Sequence, residues 1–299
     1  MAVFVSIIVL VISLFSLPAA WSAEVVKLRH SLSIYVDDKG IGLRHPEGIA
    51  CRGGVLVIGD TENDRLLRYA IEGKDVKGGT EIKMPQLSTP ARLQIDSKGD
   101  IFALDGRQRR VVHLGPDGAF KGYVTAEGAP SPSIVPKSFK IGADDALYVL
   151  DVFSGRVLVV GPDGKYQKQI DFPSDYGFFS DVAVDARGTV LILDSVKGRL
   201  WAAAPKASAF SPLGGPLKEY MSFPASLTAD SRGMLYITDE NGGGVGLVSQ
   251  DGSFLGKQLG MGWNEGLLSY PAQICVDDHE EVFIADRGNS RVQAFSLGK

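Results

Sequence analysis

Little in this chain advertises reactive chemistry. It holds two cysteines and four histidines, His30, His45, His113 and His279. Their scatter gives no zinc-ligand spacing, and two thiols do not make a disulfide framework. An excess of one charge sign is missing too: 31 basic and 35 acidic residues are well mixed, for a net charge of −4. That excludes a broad electrostatic footprint for nucleic acid or an anionic membrane. The one basic cluster, Gly106–Arg110, stands alone, and no nucleic-acid partner is expected. After residue 24 no segment shows a helical period, and none is long and apolar enough to span a membrane.

What the chain does have is one apolar leader and much glycine. Ala2 to Ala20 carries no charge and is followed by small residues, the pattern of an export signal cut near Ser22 or Ala23. Residues 1–23 are therefore expected to be a signal peptide, with an uncleaved anchor as the alternative, and the mature protein to be periplasmic or secreted. No Cys follows the leader, so no lipid anchor is expected. The 36 glycines spread along the chain require frequent turns.

Those turns are periodic. Apolar runs ending in Asp recur as VLVIGD (Asp60), IFALD (Asp105), LYVLD (Asp151), VLILD (Asp194), LYITD (Asp239) and VFIAD (Asp286), spaced by 45, 46, 43, 45 and 47 residues. A Pro stands fifteen residues before the Asp at Pro90, Pro136, Pro224 and Pro271; Pro46 is one residue closer, and the fourth copy has Phe179. Five residues after the Asp comes Arg65, Arg110, Arg156, Arg199 or Arg291, with Gly244 in the fifth copy. Asp-x-x-Gly at Asp96–Gly99, Asp185–Gly188 and Asp230–Gly233, and Asp-Gly at 117, 163 and 251, supply hairpin turns.

Each unit thus reads as a four-stranded antiparallel meander of about 45 residues. Such a meander cannot bury both faces alone. Six arranged around an axis can, which makes the fold class all-β, a six-bladed β-propeller over residues 24–299. The last unit is one strand short. Glu24–Leu32 is expected to fill that place, pairing with Arg291–Phe295 and closing the ring.

The pairs HPEGIA with GDTENDR, and YPAQICVD with ADRGNSR, resemble the NHL repeat. Repeats one and six carry the Asn of that pattern (Asn63, Asn289), whereas two to five keep the Asp but lack the Asn. The resemblance implies an exported six-bladed NHL propeller. Related six-bladed folds include gluconolactonase-like metal hydrolases, the strictosidine-synthase-like group and peptide-amidating lyases.

The six Asp and five Arg are expected to be structural, the carboxylates accepting turn N–H groups and the guanidiniums reaching them. At the channel mouth, two residues after the Pro, stand Gly48, Arg92, Ser138, Asp181, Ser226 and Gln273, with Glu47 nearby. A divalent ion would need carboxylate and amide ligands converging from several blades, and this ring offers few; no metal and no cofactor are expected. The expected function is a non-enzymatic binding module that uses Glu47, Arg92, Asp181, Gln273, Trp263 and Tyr176 to present its loop face to a protein, peptide or glycan of the cell envelope. The chain is expected to be a monomer. The alternative is a metal-dependent hydrolase or lyase at the channel mouth, lactonase-like or amidating-lyase-like, using Asp181, Glu47, His45 or Arg92. Cys51 and Cys275 fall on innermost strands that ring closure makes neighbours, one position out of register, and are expected to be free buried thiols, although export would permit a bridge.

Overall fold

The apolar runs that end in the repeated Asp form the second strand of each blade: Val55–Asp60, Ile101–Asp105, Leu147–Asp151, Val190–Asp194, Leu235–Asp239 and Val282–Asp286. They are buried almost end to end. A strand covered by a neighbouring blade on each face reads as a continuous apolar run instead of an alternating one. These features come from a computed structural model that describes residues 26–131 and 133–298; the expected signal segment 1–23 lies outside the described residues, as do Glu24 and Val25.

Around these strands the described residues form six four-stranded antiparallel sheets, a six-bladed β-propeller. In blades two to six the innermost strand begins at the Pro position, which pairs with the repeated Asp of the second strand. A break in register follows at once. Proline is tolerated there because a strand's first residue and a bulge both spare the ladder a missing N–H. The Asp-x-x-Gly turn at Asp96–Gly99 also forms as read. Gly99 takes φ +83°, and Asp96 Oδ1 accepts the N–H groups of Lys98 and Asp100.

The ring closes through the N-terminal segment. Lys27–Ile34, two residues further along than the expected Leu32, is the outer strand of blade six and pairs from Lys27↔Gly298 to Ile34↔Val292. No helix among the described residues is long and apolar enough to cross a membrane.

A second latch corrects the expectation of free thiols: Cys51 and Cys275 form a disulfide across a Cα–Cα distance of 6.1 Å. The offset of one register position, which argued against the bridge, is what permits it. Along the inner strand of blade one, Ile49 and Cys51 pack toward blade six while Ala50 packs toward blade two. Along that of blade six, Ile274 packs toward blade five and Cys275 toward blade one. Equal register would have aimed the two sulfurs into different seams; an odd offset puts both into the seam that closes the ring. Replacing both cysteines by serine is expected to cost roughly 2–4 kcal/mol, because the bridge restrains an unfolded loop of 224 residues. Thermal melts of the double variant and the parent should then differ by roughly 5–15 °C, and coincident melts would refute a stabilising latch.

Candidate functional site on the loop face

The repeated Asp carboxylates are fully buried and each gathers N–H groups from the connection that leads into its own blade. Asp60 accepts from Arg44, Asp105 from Ser88, Asp151 from Val135, Asp194 from Gly177 and Phe178, Asp239 from Ser222 and Phe223, and Asp286 from Ser269. Three of the repeated arginines reach them: Arg65 Nε to Asp60 at 2.7 Å, Arg156 Nε to Asp151 at 3.1 Å and Arg291 Nε to Asp286 at 2.7 Å. The other two do something else. Arg110 lies over the Tyr123 ring at 3.8 Å and donates to Gln86 O, and Arg199 forms no ion pair with Asp194 among the described residues. Asp239, whose repeat lacks the Arg, is met by Lys257 from the outer strand at 2.6 Å. Burial alone would raise the Asp239 carboxyl, but Lys257 and the N–H groups of Phe223 and Ser222 hold it below the usual carboxylate range.

These anchored turns fix what projects from the loop face. Between blades six and one they frame a cavity of about 510 Å³ lined by His45, Glu47, Glu62, Ser269, Tyr270 and Arg287, among others. His45 and Tyr270 each precede the Pro of their blade, and both hold left-handed backbone angles, φ +45° and +47°. That conformation is costly for residues with a Cβ and is retained where surrounding structure imposes it. His45 Nδ1 lies 2.5 Å from Glu62 Oε1, and the other Glu62 oxygen is 3.3 Å from Arg44. Across the cavity Arg287 contacts Glu240 at 2.5 Å and Glu47 at 3.4 Å, so one guanidinium joins blades five, six and one. Lys137, on the inner strand of blade three, lies outside this cavity's lining, 5.5 Å from the Phe178 ring. Burial, with help from nearby Arg92, holds its ammonium below the ordinary lysine range, against the pull of Asp181, Glu47 and Glu240.

The residues proposed from the sequence do not form one group. Glu47 lines the cavity. Asp181 and Gln273 are buried on the axis, with their hydrogen-bonding capacity spent on the fold. Asp181 accepts from Ser138 Oγ at 2.5 Å, Ser226 Oγ at 2.7 Å, Leu227 N at 2.8 Å and Val182 N at 2.9 Å. Gln273 accepts from Ile49 N and Leu93 N and donates to Leu93 O. Arg92 is half-buried and donates to Ala91 O. Trp263 stands 82% exposed on the connection between blades five and six. Tyr176, on the connection between blades three and four, stacks on Phe179. Glu62 and Arg287 escaped the sequence reading. Their signal was the pair of positions just after the repeated Asp, where Glu240 and Arg287 bring opposite charges from adjacent blades.

The donor set does not fit the divalent ion that lactonase-like propellers imply. Asp181 and Gln273, the two channel candidates, are saturated by protein donors, and among the described residues no three His, Cys, Asp or Glu side chains are grouped to hold a metal.

Residues 268–295 match the NHL repeat family model. With the six-bladed ring, this bears out the resemblance read from the sequence. No curated protein matches the chain by sequence. Among solved structures it resembles virginiamycin B lyase from Staphylococcus aureus, with a TM-score of 0.63 and 15% identity over 91% of this chain and 100% of that one. A catalytically inactive form of that lyase with quinupristin gives the same TM-score at 16% identity, covering 91% and 100%. A gluconolactonase from Xanthomonas campestris gives 0.67 at 15% identity, covering 91% and 90%. At such identity the likeness establishes the fold. The expectation of a non-enzymatic scaffold is corrected to this extent: the lyase and the gluconolactonase that share the fold are enzymes, which favours the metal-dependent hydrolase-or-lyase alternative over it.

Proposed function

We propose that this propeller is an exported hydrolase or lyase that opens an ester or lactone at the cavity between blades six and one. The observation that carries the reading is the His45–Glu62 pair at the cavity wall. An ionised carboxylate only accepts hydrogen bonds, so Glu62 draws the imidazole N–H to Nδ1 and leaves Nε2 with a free lone pair. Nε2 can then take a proton, from water for hydrolysis or from carbon beside a carbonyl for elimination. Negative charge growing on the carbonyl oxygen would meet Arg287, held at the cavity by its ion pairs to Glu240 and Glu47 rather than by solvent. Support for export comes from the uncharged segment 2–20 and from the disulfide, which oxidising compartments preserve.

Assaying the purified protein against a panel of γ- and δ-lactones and quinupristin tests this. The parent should turn over at least one compound, and His45→Ala should lower kcat by about 10²–10⁴-fold, the usual contribution of a positioned base. Activity that survives His45→Ala, or a parent inert toward the whole panel, would overturn the assignment.

A further inference from the structure

At the opposite end of the channel the inner strands leave a second cavity of about 210 Å³, lined by Arg52, Gln94, Lys140, Thr228, Asp278 and the disulfide. Lys140 reaches across the axis from blade three toward blade five, where Thr228 Oγ1 accepts one of its N–H groups at 3.3 Å. An ammonium carries three donors, and two remain. Among the described residues no carboxylate lies within ion-pair distance of it. Asp181, above it on the axis, already accepts four hydrogen bonds. Asp278, at the rim, accepts Gly53 N at 2.7 Å. Arg52 gives one N–H to Ile95 O and approaches Asp145 at 3.8 Å. The floor therefore holds a half-buried cation with spare donors, a second cation at its edge and hydroxyl and amide groups beside them.

We propose that this floor is a binding site for one small oxyanion or carboxylate, held by Lys140, Thr228 and Gln94 with Arg52 at its rim. A buried charge with no partner is costly, and an anion would supply the missing partner through short charge-assisted hydrogen bonds. The small cavity limits the ligand to something like acetate, phosphate or sulfate. Burial, with Arg52 nearby, already holds the Lys140 ammonium below the ordinary lysine range, against the pull of Asp181. An anion favours the charged amine, so binding should take up protons and weaken as pH rises. The site owes nothing to the loop-face chemistry and stands or falls apart from it.

Calorimetric titration of the full chain with acetate, phosphate and sulfate, in a buffer whose only other anion is a bulky sulfonate, tests the proposal. At least one of the three should saturate at one anion per chain, with weaker binding at higher pH. Lys140→Met should weaken it tenfold or more while folding normally, since an apolar side chain of similar length avoids burying an unpaired charge. Thr228→Val should weaken it less, and His45→Ala should leave it unchanged. Absence of saturable binding by all three anions overturns the site, as does equal affinity in Lys140→Met. Loss of binding in His45→Ala would place the anion on the other face and overturn it equally.

Discussion

Starting the chain at Tyr35 should lower the melting temperature by roughly 10–20 °C, the shift that goes with a loss of about 5 kcal/mol in a protein of this size. The deleted strand, Lys27–Ile34, pairs with the last strand along nearly its whole length. It also adds Leu28 and Ile34 to the cores on either side of blade six. Without it the N–H and C=O groups of Val292–Gly298 face water as an open edge, and Phe295, fully buried and in edge contact with His30, is uncovered. The disulfide holds the same seam at the axis, so the two latches should act together. Truncation and loss of Cys51 and Cys275 together should cost more than the sum of the separate losses. Differential scanning calorimetry of the four proteins measures this; a truncated chain melting within a few degrees of the parent would refute closure by this strand.

A comparable loss is expected at the buried repeated Asp of blade six. Asp286→Ala removes the acceptor of four donors at once: Ser269 N, Asn289 Nδ2, Arg291 Nε and Gln293 Nε2. Arg291 is 3% exposed and would keep its charge without this carboxylate, so the change should cost about 3–5 kcal/mol. Asp194→Ala is the informative comparison. Among the described residues that carboxylate accepts only backbone N–H groups, of Gly177, Phe178 and Lys197, and no cation pairs with it; its removal should cost about 1–3 kcal/mol. Asp239 cannot serve as the weak case, although its repeat lacks the Arg, because Lys257 takes that place. Chemical denaturation of the two variants decides the matter, and equal losses would show that the Arg291 pair adds nothing.

The fold was legible because it is written six times. Strand ends, turns and blade count all follow from an Asp every 43 to 47 residues, and the missing strand follows from counting. The site was legible only in part, for a reason that lies in the geometry. Among the residues two after the Pro, the carboxylate of Asp181 and the amide of Gln273 stand out by their side-chain chemistry. Their distinctness serves packing, since a polar side chain placed on the axis must satisfy neighbours that its equivalents lack. Glu62 becomes meaningful only beside His45, seventeen residues earlier and across a turn. Arg287 becomes meaningful only between two other blades. Contacts across a seam leave no periodic mark in one sequence. The disulfide was misread in the same way: register was compared along strands, whereas the bridge depends on which face of each strand looks into the shared seam.

The two axial side chains also bear on how such a ring can change. Asp181 gathers Ser138 and Ser226 from the blades on either side of its own, and Gln273 gathers Ile49 and Leu93 from the two blades that follow it. The ring is thereby tied as two trios, blades three to five and blades six, one and two. A blade lifted out of either trio takes with it the acceptor or the donors that its neighbours require. The six units, alike enough to betray a common pattern, are no longer interchangeable parts, and growth or loss by single blades, the ordinary way repeat proteins change size, is closed to this ring unless the axis is rebuilt with it.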